Sequence, residues 1–118
     1  MKQEMLDTIF EIKDAFDKQP FRLSFMVLTD IFYFLLCIHR ENLTIPEPQW
    51  ELTFNVLTLR WETDKGKIII FFTTLHDSYV SYYEKYEIKF TRPIKSLTPV
   101  PDWFFQTIKN LYNIMEPV

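Results

Sequence analysis

The chain has 118 residues, which suits one domain around one core, and 18 % of them are aromatic, far too many for a disordered segment. Thirteen basic and sixteen acidic residues leave a net charge of −3 with no run of lysine or arginine, which argues against direct nucleic-acid binding. Cys37 is the only cysteine, so an intrachain disulfide is excluded and a reducing, cytoplasmic setting is expected.

The first residues, Met1-Lys2-Gln3-Glu4-Met5, lead into an amphipathic segment and not into the apolar stretch of a signal peptide. Met5, Ile9, Ile12 and Phe16 recur at three- and four-residue steps and predict a helix over 2–18. Leu6 widens the stripe, and Phe10 falls at its edge. Pro20 stops it. A second helix is expected over 24–40, with Ser24 as its N-cap. Its stretch from Ile31 to Ile38 is apolar all round. Arg22 and Asp30 interrupt the apolar run, and an acid near the middle of a membrane span costs several kcal/mol. A central helix, covered by the sheet and the other two helices, is the expectation.

Residues 42–51, with Pro46 and Pro48, read as a connection that is extended in part. From 52 to 62 the pattern changes to period two: Leu57, Leu59 and Trp61 alternate with Val56, Thr58, Arg60 and Glu62. The turn Thr63-Asp64-Lys65-Gly66 follows, where Gly66 is expected to supply a positive φ. The strand over 67–74 is apolar on both faces and is expected at the centre of the sheet. After the turn 75–78, a third strand over 79–90 carries four tyrosines and ends in charged positions that suit an edge. Pro93, Pro99 and Pro101 mark a second linker. A last helix over 102–115 is drawn from Phe104, Ile108, Leu111 and Met115. The expected fold is therefore α+β, a single domain over 1–118. Its three-stranded antiparallel meander has helices packed on one face, in the order α-α-β-β-β-α.

Pro46 and Pro48 precede a strand that ends in Leu59, Trp61 and Glu62, and Gly66, Ile68 and Ile70 follow. Over residues 44–86 this pattern resembles short uncharacterised prokaryotic and phage-associated α+β proteins. Such proteins often place a glycine before the first strand; here Phe54-Asn55 stands there. The resemblance implies the meander and no activity.

No catalytic, metal or cofactor arrangement is legible. Cys37 lies in the most apolar segment and His39, two positions on, points to another helix face, so an inert, buried thiol is expected. His76-Asp77 falls in a hairpin turn, where Asp is common for backbone reasons. With two histidines in all, a multi-histidine metal site is excluded. Asp30 needs a partner inside an apolar helix, and Arg22 or Arg60 could supply it.

The tyrosines are the strongest functional signal. Tyr79 and Tyr83 share one strand face, and Tyr82 and Tyr86 the other. Helices on one side leave a second sheet face, on which Ile69 and Phe71, with Tyr79, Tyr83 and Arg60, form the expected protein-binding site. The expected function is a small non-enzymatic protein-binding module, such as an inhibitor, an immunity or antitoxin-like protein or a phage accessory factor. Its partner is another protein, or a second copy of the chain. A self-associating structural protein is the alternative, and a small-ligand binder or enzyme with a pocket between central helix and sheet stands behind both.

Overall fold

In a computed structural model, residues 2–18, 25–41, 46–53, 56–73, 78–95 and 99–113 are described, with the side chains of 2–6, 16 and 25 left aside. Helices α1 (Lys2–Lys18) and α2 (Phe25–Arg40) come first. Strands β1 (Gln49–Leu52), β2 (Val56–Glu62), β3 (Gly66–Thr73), β4 (Ser78–Glu84) and β5 (Glu87–Ile94) follow, and α3 (Asp102–Leu111) closes the order. The strands form one antiparallel sheet in the order β1-β2-β3-β4-β5, so each pairs only with its neighbours along the chain. The expected three-stranded meander is thus corrected to five strands, in the order α-α-β-β-β-β-β-α.

Two features account for the difference. Gln49-Trp50-Glu51-Leu52 pairs with Arg60 to Leu57 as a short extra strand, where a connection was expected. The expected strand over 79–90 folds back on itself at Lys85 and Tyr86, so that Glu84 pairs with Glu87. Lys85 takes φ 58°, a conformation that Gly or Asn usually supplies in such turns. β4 is consequently an interior strand, and β5 takes the edge.

Alternation along the strands builds the core. Leu57, Leu59, Trp61, Ile68, Ile70, Phe72, Val80 and Tyr82 are buried on one sheet face. The helices lie against that face. Phe34 of α2 meets Phe72 edge-on, and Phe104 of α3 meets both Phe34 and Trp61. Ile12 brings α1 into the same core. The Trp61 indole N–H donates to the Pro46 carbonyl at 3.1 Å, which anchors the approach to β1. Two polar clasps hold α1 beside that strand: Thr8 Oγ1 donates to Glu47 at 2.9 Å and Trp50 Nε1 to Glu11 at 3.2 Å.

α2 is less enclosed than its composition suggests. Val27, Ile31, Phe34, Leu35 and Ile38 are buried, while Met26 and Leu36 are exposed. Phe10 of α1 is exposed too, as its edge position implied. The expected contributions of Met5, Leu6, Phe16, Ser24, Pro20 and Met115 lie outside what is described. No helix among the described residues is long and apolar enough to cross a membrane.

α3 ends earlier than its stripe suggested, in a turn where Asn113 takes φ 55°. The β2–β3 turn reaches across to this end. Lys65 Nζ donates to the Asn110 carbonyl at 3.1 Å and to Asn113 Oδ1, and Thr63 Oγ1 donates to the Leu111 carbonyl at 3.3 Å. A cation here also meets the negative end of the helix dipole. Lys65→Met is therefore expected to lower stability by about 0.5–1 kcal/mol, read from urea denaturation. A loss below the error of that measurement would show that the Thr63 bond alone caps the helix.

Candidate functional site

The second sheet face is set by the same alternation that builds the core. Register places Arg60, Ile69, Ser81 and Thr91 in one row across β2 to β5. Thr58, Phe71, Tyr79 and Pro93 form a second row, and Glu62, Lys67, Tyr83 and Ile88 a third. The five residues expected to form the site, Arg60, Ile69, Phe71, Tyr79 and Tyr83, thus share one face, opposite the helices. Ile88, Thr91 and Pro93 join them. Sequence reasoning missed these three, because the hairpin at Lys85-Tyr86 carries no glycine to announce it.

The face is organised around rings. Phe71 and Tyr79 stack with centroids 4.7 Å apart and planes within 19°. Lys67 Nζ lies 5.0 Å from the Tyr83 ring centroid, within the range of a cation–π contact. Arg60 Nη2 donates to Gln49 Oε1 at 2.6 Å, and its Nε stands 3.9 Å from Glu62. Ser81 Oγ and Thr91 Oγ1 share a hydrogen bond at 3.1 Å, so each hydroxyl already has a partner. Toward β1 the face opens into a cleft of about 440 Å³ over Ile69 and Phe71, walled by Gln49, Glu51, Thr58 and Arg60. Its described lining comes entirely from β1, β2 and β3.

Tyr82 points the other way. It is buried on the helix side, tilted against Phe90 at 5.5 Å, and its hydroxyl donates to Glu84 at 3.0 Å. Burial pushes its phenol up, and the Glu84 carboxylate adds to the shift. Tyr86 does not share that face; it sits at the β4–β5 turn, wholly exposed. On the same helix side the Arg92 guanidinium covers Phe90 at 4.4 Å and Trp103 at 5.0 Å, which ties α3 to the edge strand.

The other candidates end up apart. Arg60 is not the partner of Asp30: it is on the face away from the helices, held by Gln49 and Glu62. Asp30 lines a narrow cleft with Tyr33, Ser78 and Lys95. Arg22, His76 and Asp77 lie outside the described residues. Cys37 is half-buried and packs against the core without entering it fully. His39 Nδ1 is buried and has no hydrogen-bond partner among the described residues. Among those residues no three His, Cys, Asp or Glu side chains come together as a metal site would require. Comparison with family models, with curated proteins and with solved structures gives no match.

Proposed function

We propose that this chain is a small, non-enzymatic protein-binding module of the cytoplasm, and that the sheet face away from the helices is its working surface. The observation that carries this reading is the apolar strip on that face. It runs from Ile69 and the stacked Phe71–Tyr79 pair to Tyr83 and the exposed Ile88, while the helices lie on the opposite side. Aromatic rings beside an arginine are the composition that concentrates binding energy at protein interfaces. The single cysteine supports the reducing compartment.

The sheet edges argue for the face as the point of contact. Pro93 removes a backbone donor from β5, and an extra residue, Lys89, bulges that strand between the Tyr82 and Tyr83 pairings. β1 is four residues long and follows Pro48. Both are devices that resist strand addition.

The test is position-dependent cross-linking in the native host. A photoreactive residue replacing Thr91 on the free face is expected to yield one defined protein adduct. The same residue replacing Gln106, exposed on α3, is expected to yield none. Adducts from Gln106 alone, or from neither position, would overturn the reading.

A further inference from the structure

We infer that the cleft over β1, β2 and β3 takes an extended segment of a protein partner, with one apolar side chain set over Ile69 and Phe71 and a basic side chain two residues away set against Glu51; this rests on the free face being a protein-binding surface. The register fixes the layout. Gln49, Arg60 and Ile69 stand in one row, and Glu51, Thr58 and Phe71 in the next. Each row passes from polar side chains on β1 and β2 to an apolar one on β3. The cleft therefore has a polar end at the sheet edge and an apolar end toward the stacked Phe71–Tyr79 pair.

The shape points to side chains carried on a larger body. A volume of about 440 Å³ is of ligand size. The described lining, however, comes from three adjacent strands of one sheet face, which hold an occupant from one side. A free small molecule is normally buried over about 70–90 % of its surface. Side chains whose backbone continues above the sheet need no such enclosure, because the rest of the partner keeps them in place.

The sign of the second contact follows from which charges are already engaged. Arg60 donates to Gln49 at 2.6 Å and has Glu62 at 3.9 Å. Lys67, the next cation along the face, lies against the Tyr83 ring at 5.0 Å. Glu51 is exposed and makes no hydrogen bond or ion pair among the described residues; the residue directly opposite it is the uncharged Thr58. An occupant of the cleft thus meets an unmatched negative charge, which a basic side chain complements. The spacing suits one segment. Glu51 and Phe71 are two strand spacings apart, about 10 Å. In an extended segment laid across the strands, residues two apart project to the same side about 7 Å from each other, and the long stem of a lysine or arginine covers the rest.

Titration of the whole chain with short capped peptides, followed by two-dimensional amide NMR, tests this. The first peptide alternates threonine with one phenylalanine and, two positions later, one lysine. One twin carries glutamate for the lysine, and another carries alanine for the phenylalanine. The first peptide, at millimolar concentration, is expected to shift the amides of Glu51, Thr58, Ile69 and Phe71, and the alanine twin to shift none of them. The glutamate twin is expected to bind about fivefold more weakly, because it exchanges a rim attraction for a repulsion. Glu51→Lys, whose fold is checked by its melting curve, is expected to reverse that order. Equal binding of the lysine and glutamate peptides, an order that Glu51→Lys leaves unchanged, shifts confined to other residues, or no shifts at all would each overturn the inference. Should it fall while a photoreactive residue replacing Thr91 still captures a foreign protein, only the role of the cleft is lost and the protein-binding reading stands. If Thr91 yields no adduct either, both fall.

Discussion

Gly66→Ala is expected to destabilise the protein by about 3 kcal/mol, at the upper end of the cost of overpacking. The glycine opens β3 opposite Glu84, and a Cβ built on it would stand 2.1 Å from the Tyr83 carbonyl oxygen and 3.2 Å from the Glu84 Cα. Both contacts are backbone on the adjacent strand, so no side chain can swing aside to make room. Relief requires β3 and β4 to part at this end, which also disturbs Tyr83 on the free face. Urea denaturation should show a lower midpoint with an unchanged slope. A loss under about 1 kcal/mol would mean that the two strands can separate locally without harm to the sheet.

Phe104→Ala is expected to cost about 3–5 kcal/mol, a large share of a typical domain's total of about 5–15 kcal/mol. Its ring is fully buried and meets Phe34 at 5.1 Å, Trp61 at 5.8 Å and Phe105 at 5.8 Å, each edge-on. It joins α2, β2 and α3 at one point, and the three neighbouring rings are too large to collapse into the space it would leave. Phe10→Ala is the control: that ring is 63 % exposed, and its loss should fall within about 0.5 kcal/mol. Comparable losses at the two positions would overturn the assignment of Phe104 to the centre of the core.

What the sequence disclosed and what it hid divide along physical lines. Long periodic segments were legible: α1, α2 and the start of α3, the alternation at 56–62 and the doubly apolar strand over 67–73 stand where their patterns placed them, and Ile69 and Phe71 share the face that parity assigned. Short or unpunctuated features were not. β1 has only four residues behind two prolines, too few for alternation to register. The hairpin at Lys85-Tyr86 puts lysine where glycine would have signalled a reversal. Gly66 was recognised as special for the wrong reason: it has no positive φ, and what excludes a side chain is the close approach of β4. Of the two arginines that charge alone offers as partners for Asp30, Arg22 lies outside the described residues and Arg60 stands on the other side of the sheet.

The neighbour-to-neighbour strand order also bears on how quickly the chain can find its fold. Two to four residues separate each strand from the next, so every pairing in the sheet closes a short loop. Short closures cost little entropy and favour rapid, sequential zipping of the hairpins. The contacts that reach far along the chain are different in kind: Thr8 to Glu47 and Glu11 to Trp50 each span 39 residues, and Lys65 reaches Asn113 across 48. These tie helices to a sheet that local contacts alone can assemble. The meander is thus placed to form first as a template, with α1 and α3 fastening to its apolar side afterwards.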